Sequence, residues 1–186
     1  MNIIPTSLSG VVILEPRKFE DSRGFFAETW HRAKLADAGL NTDFVQENQS
    51  LSRQVGTVRG LHCQLAPHAQ AKLVRVVRGA VFDVAVDIRP GSPTFGKWMG
   101  ALLTADNMHQ LFIPAGFLHG FVTHEPNTEV VYKCSDFYAP THERSVRFDD
   151  PEIGIDWGID PKDAILSDKD AKAPTLRELS TEEVSK

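Results

Sequence analysis

A mainly β fold, either an antiparallel barrel or a two-sheet jelly roll, is predicted by three features of the chain. Short apolar and β-branched runs recur along most of its length, turn residues interrupt them at close intervals, and helix signals are confined to the periphery. The first strands are predicted at 11–14 and 24–29. A short helix at 30–38 follows, stopped by Gly39. Strands come next at 44–50, 57–64, 72–78 and 81–88, with Arg78-Gly79 turning between the last two. Arg89-Pro90-Gly91-Ser92-Pro93 turns the chain into 97–103. The runs 109–113 and 117–123 flank Pro114-Ala115-Gly116, and Glu125-Pro126-Asn127 leads into 129–137. The last run is 145–148. Near the end, Thr175-Leu176-Arg177-Glu178 matches a capping box and predicts a helix start.

The 186 residues suffice for one domain with a real core, and no linker or internal repeat divides them. One domain over 1–186 is expected, with a tail from about 158 to 186. A net charge of −5 excludes the basic footprint that nucleic acid or an anionic membrane requires, while leaving room for one anionic small molecule held by local arginines. No stretch resembles a membrane span, and residues 1–9 lack the pattern of a signal peptide. A cytoplasmic protein with Cys63 and Cys134 as reduced thiols is therefore expected.

Two histidine segments stand out: Gly60-Leu61-His62-Cys63-Gln64 and Pro114-Ala115-Gly116-Phe117-Leu118-His119. Strand alternation puts Gly60, His62 and Gln64 on one face, Lys72, Val74 and Val76 on another strand's face, and Val130, Tyr132 and Cys134 on a third. If these rows face inward, His62, Lys72, Tyr132 and His119 line the interior. If they face solvent, the opposite residues form the core, and periodicity leaves the phase open because the strands are apolar on both faces. Metal-binding barrels use a His-x-His pair, a later carboxylate and a further histidine. Here the second member is Gln64, and 65–77 contains no Asp or Glu, so no metal and no cofactor is expected. Proton chemistry fits instead, with His62 as a base, Lys72 stabilising an oxyanion and Tyr132 donating from another direction. That kit suits proton removal beside a carbonyl and return on the opposite face, an epimerisation.

Asp21-Ser22-Arg23-Gly24-Phe25-Phe26, Phe44-Val45-Gln46-Glu47-Asn48-Gln49-Ser50, Val58-Arg59-Gly60-Leu61-His62, Val81-Phe82-Asp83-Val84-Ala85-Val86-Asp87 and Ile113-Pro114-Ala115-Gly116-Phe117-Leu118-His119-Gly120-Phe121, with Tyr132-Lys133 and Ile155-Asp156-Trp157, closely resemble the dTDP-4-dehydrorhamnose 3,5-epimerase family. The likeness runs from about Val11 to Pro174. It implies a metal-free, cupin-type jelly-roll barrel, a homodimer, and action on dTDP-4-dehydro-6-deoxy-D-glucose. By the same resemblance His62 is the base, Asp170 its carboxylate partner, Tyr132 the opposing acid, and Lys72 the holder of the carbonyl oxygen. Arg23, Arg59 and His119 would hold the diphosphate, and Gln46, Asn48, Glu28, Glu143 and Lys169 would make polar contacts to substrate. The segment around Phe19, Arg23 and Glu28 would cross to the partner subunit.

Several positions keep alternatives. Arg23 closing a turn with Asp21, Lys72 and Glu143 as rim charges, Tyr132 as a core tyrosine, and Asp170 as a helix-cap residue are the plain readings. Tyr138 either stacks on thymine or packs. Arg59 and His62 fall on opposite faces of a regular strand unless Gly60 permits a bulge. Competing functions are a 3-epimerase of a specialised deoxysugar pathway, a metal-dependent oxygenase on a similar barrel, and a binding module for a sugar nucleotide.

Overall fold

The computed structural model describes residues 1–179. Thirteen strands and two short helices follow one another as β1 (Asn2–Pro5), β2 (Val12–Glu15), β3 (Lys18–Asp21), β4 (Gly24–Ala27), α1 (Arg32–Asp37), β5 (Gln46–Ser52), β6 (Val58–Gln64), β7 (Lys72–Arg78), β8 (Ala80–Asp87), β9 (Trp98–Thr104), β10 (Gln110–Ile113), β11 (Phe117–Thr123), β12 (Thr128–Cys134), β13 (Glu143–Ser145) and α2 (Asp168–Ala171). A six-stranded sheet in the order β1-β2-β10-β7-β12-β5 stacks on a five-stranded sheet ordered β13-β6-β11-β8-β9, and β3-β4 forms a separate hairpin. Every named pairing is antiparallel. This is the jelly roll, which folds two sheets around one core and leaves few strand edges.

Apolar residues on both faces of the strands have a simple cause: both outer faces are covered. Between the sheets lie Val74, Val76, Val81, Ala85, Leu103, Leu111, Phe121 and Val130. Outside the five-stranded sheet, Leu61, Val84, Val86, Leu118 and Val122 pack under Ile153, Trp157, Leu176 and Leu179 of the C-terminal segment. Outside the six-stranded sheet, Leu14, Leu73 and Phe112 pack under Leu35 of α1. The phase that the sequence leaves open is thereby decided. Val74 and Val130 are fully buried in the interior layer, and Lys72 and Tyr132 share their strand faces.

Two turn regions carry more than connection. Asp87 closes the β8–β9 loop by accepting from Arg89 N, Nε and Nη2, Ser92 Oγ and Thr94 Oγ1, at 2.6–2.9 Å. Burial alone would raise its pKa, but the bonds from Arg89, Ser92 and Thr94 outweigh it and hold the carboxyl well below the usual range. Asp87→Ala leaves those donors unpaired and is expected to cost about 3 kcal/mol, a fall in Tm of roughly 6–12 °C by calorimetry. Because the folded pKa is depressed, this contribution is complete at neutral pH. It fades as pH drops below about 4, the ordinary aspartate value, toward the folded one.

At the C-terminal end the capping box forms: Thr175 N donates to Glu178 Oε2, and Glu178 N donates to Thr175 Oγ1. The described residues make only a turn there, and any helix beyond Leu179 lies outside them. The predicted helix at 30–38 shortens to Arg32–Asp37, capped by His31, whose Nδ1 accepts from Lys34 N. β1 and the charged β3 were not foreseen, since neither shows buried alternation.

Candidate active site

The site grows from the pairing of β6 with β11. Gly60 and Gly120 face each other across these strands so closely that a Cβ on Gly60 would lie 2.6 Å from Gly120 Cα and from His119 O. Gly60 has φ +118°, a region that L side chains avoid. The register shifts between His119 and Phe121 at this point. This irregularity reconciles Arg59 with His62: both line one cavity of about 390 Å³, together with Lys72, His119, Tyr132 and Asp170. Its size suits a small-molecule ligand.

The C-terminal segment brings the carboxylate. Ile165 pairs with Thr57, with Val58 N donating to Ile165 O and Ile165 N to Gly56 O, both at 2.9 Å. Ser167 then caps α2 through its Oγ, which accepts from Asp170 N at 3.1 Å. The plain reading of Asp170 as a helix cap is therefore incorrect; the cap is Ser167. Asp170 is buried, and its Oδ1 lies 2.6 Å from His62 Nε2. Burial opposes its ionisation, yet the bond and charge of His62, the Ser167 hydroxyl and the Gly60 N–H together hold its pKa below the usual range. A carboxylate only accepts, so Nε2 carries the proton and Nδ1 carries the lone pair.

Lys72 and Tyr132 approach from the other sheet. The Lys72 Nζ stands 6.0 Å from the Tyr132 ring centroid. Among the described residues no carboxylate pairs with Lys72, and burial lowers its pKa against the pull of Cys134, Cys63, Asp83 and Glu143. An unpaired ammonium beside a cavity is costly for structure alone and favours an anionic partner. Burial raises the Tyr132 pKa, against a hydrogen bond from Asn48 and the charge of Arg59, so the phenol keeps its proton.

His119, assigned to the diphosphate by resemblance, lines the cavity as a buried ring. It is 7% exposed, its Nε2 lies 2.8 Å from Asp83 Oδ1, and it pairs directly across from His62. Burial lowers its pKa, against the charge and hydrogen bond of Asp83. Asp83 itself escaped sequence reasoning. It is wholly buried, with Oδ2 lacking a hydrogen-bond partner among the described residues. The available signal was an acidic residue within the apolar run 81–88.

A side compartment of about 90 Å³ shares His62, Lys72 and Tyr132 with the main cavity and adds Gln46, Asn48, Gln64, Tyr138 and Glu143. Tyr138 does not pack in the core: it is 56% exposed, its N–H donates to Gln46 Oε1, and its hydroxyl donates to Glu143 Oε2 at 3.0 Å. Glu143 also pairs with Lys169 at 2.6 Å. Arg59 is held by Ser52 Oγ and Leu51 O.

Phe19, Arg23 and Glu28 are not brought to this cavity within one chain. Phe19 and Arg23 lie on the exposed β3–β4 hairpin, where Arg23 pairs with Asp21 at 2.5 Å, and Glu28 pairs with Lys34 at 2.6 Å. Among the described residues no group of three or more His, Cys, Asp or Glu side chains is placed to hold a metal ion.

The family model for dTDP-4-dehydrorhamnose 3,5-epimerase matches residues 5–178. The chain is 52% identical to a dTDP-4-dehydrorhamnose 3,5-epimerase of Sinorhizobium fredii, over 93% of this chain and 88% of that protein. It is 50% identical to the enzyme of the same description from Shigella flexneri, over 91% and 93% respectively. The fold superposes with TM-score 0.94 on a crystal structure of dTDP-6-deoxy-D-glucose-3,5-epimerase from Legionella pneumophila in complex with dTDP-4-keto-L-rhamnose, at 43% identity and covering 100% of this chain and 97% of that one.

Proposed function

The chain belongs to the dTDP-4-dehydrorhamnose 3,5-epimerase family, and on that premise we propose that it inverts carbons 3 and 5 of dTDP-4-dehydro-6-deoxy-D-glucose to give dTDP-4-dehydro-L-rhamnose. One observation carries the reading. A histidine with its tautomer set by Asp170 and a protonated Tyr132 line one cavity with Lys72, which has no carboxylate partner among the described residues.

Both reacting carbons flank the ketone at carbon 4, which acidifies their hydrogens. His62 Nδ1 removes a proton, and the electron pair moves into the carbonyl to leave an enolate oxygen. Lys72 stabilises that oxygen, commonly the larger electrostatic term. Tyr132 returns a proton to the opposite face of the same carbon. Exchange with solvent then takes the proton from His62 and restores the Tyr132 hydroxyl before the second centre reacts, so one proton leaves and one arrives at each centre. The positioned base and acid each contribute ~10²–10⁴-fold. Arg59 is assigned to the diphosphate by its planar fork, and Tyr138, Gln46, Asn48, Glu143 and Lys169 to the remaining polar contacts. Turnover in deuterated water is expected to place deuterium at both carbons, read by NMR of the product. No label at either would overturn the reading.

The working form is assigned as a homodimer in which the hairpin carrying Phe19 and Arg23 completes the partner's site. The support is exposed aromatic surface: Phe19 is 49%, Phe25 57% and Phe26 70% exposed. Mixing inactive Arg23→Ala and His62→Ala chains should restore turnover, since one site of the hybrid then holds both residues. No recovery in a mixture shown to exchange subunits would defeat this arrangement. The cytoplasm is the compartment assigned. Cys63 and Cys134 are both free and buried, and burial pushes the Cys63 thiol up to about 11. Among the described residues no helix is long and apolar enough to cross a membrane.

A further inference from the structure

Gln64 stands where metal-binding barrels carry the second ligand of a His-x-His pair, and it is 5% exposed. Its carboxamide is committed to main chain. Nε2 donates to His68 O at 2.7 Å and to Phe137 O at 3.2 Å, and Oε1 accepts from Ala139 N at 2.8 Å. Phe137 and Ala139 bracket Tyr138, whose own N–H and hydroxyl reach Gln46 and Glu143. The Tyr138 ring is exposed rather than core-packed, so its place on the wall rests on these main-chain anchors together with its hydroxyl bond to Glu143. Only an amide supplies two donors and an acceptor here. A carboxylate would face two carbonyl oxygens, and an aliphatic side chain would leave three part-buried main-chain groups without their side-chain partner.

We propose that Gln64 is a positioning residue that sets the Tyr138–Glu143 wall of the substrate cavity, and so governs affinity for the nucleotide part of the ligand without taking part in proton transfer. The affinity half rests on the dTDP-sugar reading above, and the positional half does not. In Gln64→Leu, amide hydrogen exchange at Tyr138 and Ala139 should accelerate at least tenfold while the β6 and β11 amides stay protected. Exchange unchanged at Tyr138 and Ala139 would overturn the proposal whatever the ligand. By calorimetry, dTDP should bind about tenfold more weakly to Gln64→Leu and to Tyr138→Ala. The double variant should lose little more than either alone, because both act through one ring. KM should rise with kcat within about twofold. A loss from Gln64→Leu that is undiminished in the Tyr138→Ala background, or a fall confined to kcat, would overturn the affinity role. Failure of the unaltered protein to bind dTDP would refute both that role and the functional reading, with the exchange result still deciding position. Should the leucine variant not fold, Gln64→Met, unbranched and of similar length, takes its place.

Discussion

His62→Ala is expected to lower kcat by about 10²–10⁴-fold while dTDP still binds within about threefold of the unaltered affinity. The imidazole is the group placed to take a proton, and its removal leaves the Arg59, Gln46 and Tyr138 contacts in place. Deuterium wash-in at carbons 3 and 5 should fall in step with turnover, because both centres are assigned to one base. Steady-state kinetics with NMR of the product in deuterated water reads both. Turnover within tenfold of normal would sink the assignment of His62. Label lost at one carbon alone would show that a second base serves the other.

Asp170→Asn is expected to act almost as strongly, though the base itself stays. The Asp170 carboxylate accepts from Nε2–H and so leaves Nδ1 free to take a proton. An asparagine amide can instead donate to Nε2, which puts the ring proton on Nδ1 and aims the wrong tautomer at the sugar. Amidating the equivalent carboxylate of a Ser-His-Asp triad costs about 10⁴, and a loss on the order of 10²–10⁴ in kcat is expected here. The Asp170 pKa is held below the ordinary value near 3.9, so the bond is intact throughout the neutral range and opens only as pH falls below about 4. The stability that this pair contributes follows the same sign: present above the ordinary aspartate pKa, lost in acid. A kcat for Asp170→Asn close to normal at pH 7 would remove the dyad from the mechanism.

How far the sequence revealed the site depended on the distance over which each contact is set. Strand geometry groups His62, Lys72 and Tyr132 with defined face rows of β6, β7 and β12, so they were legible as a candidate shared interior once motif order suggested which face turns inward. The phase itself was not legible, because α1 and the C-terminal segment cover both outer faces and make the strands apolar throughout. The Asp170 partnership joins residues 108 apart in a loop-rich region, where no local periodicity reports register. Its position came from the family resemblance. His119 is assigned to the diphosphate by that same resemblance, and only the structure shows it buried with its ring bonded to the inward Asp83. β3 stayed hidden because its residues are all exposed and mostly charged, with no core for a pattern to mark, whereas its partner β4 falls inside the predicted run 24–29.

The route by which Asp170 reaches His62 orders events during synthesis. The sheets close from hairpins made earlier in the chain, while the carboxylate arrives on a late segment. That segment is pinned at Ile165, again where Arg147 N donates to Pro174 O at 2.8 Å, and again where Asp150 accepts from Leu176 N at 2.7 Å. A chain made as far as β13 therefore contains every strand of both sheets and still lacks the carboxylate partner of its base. Its proton chemistry begins when the last strap emerges and is tied down.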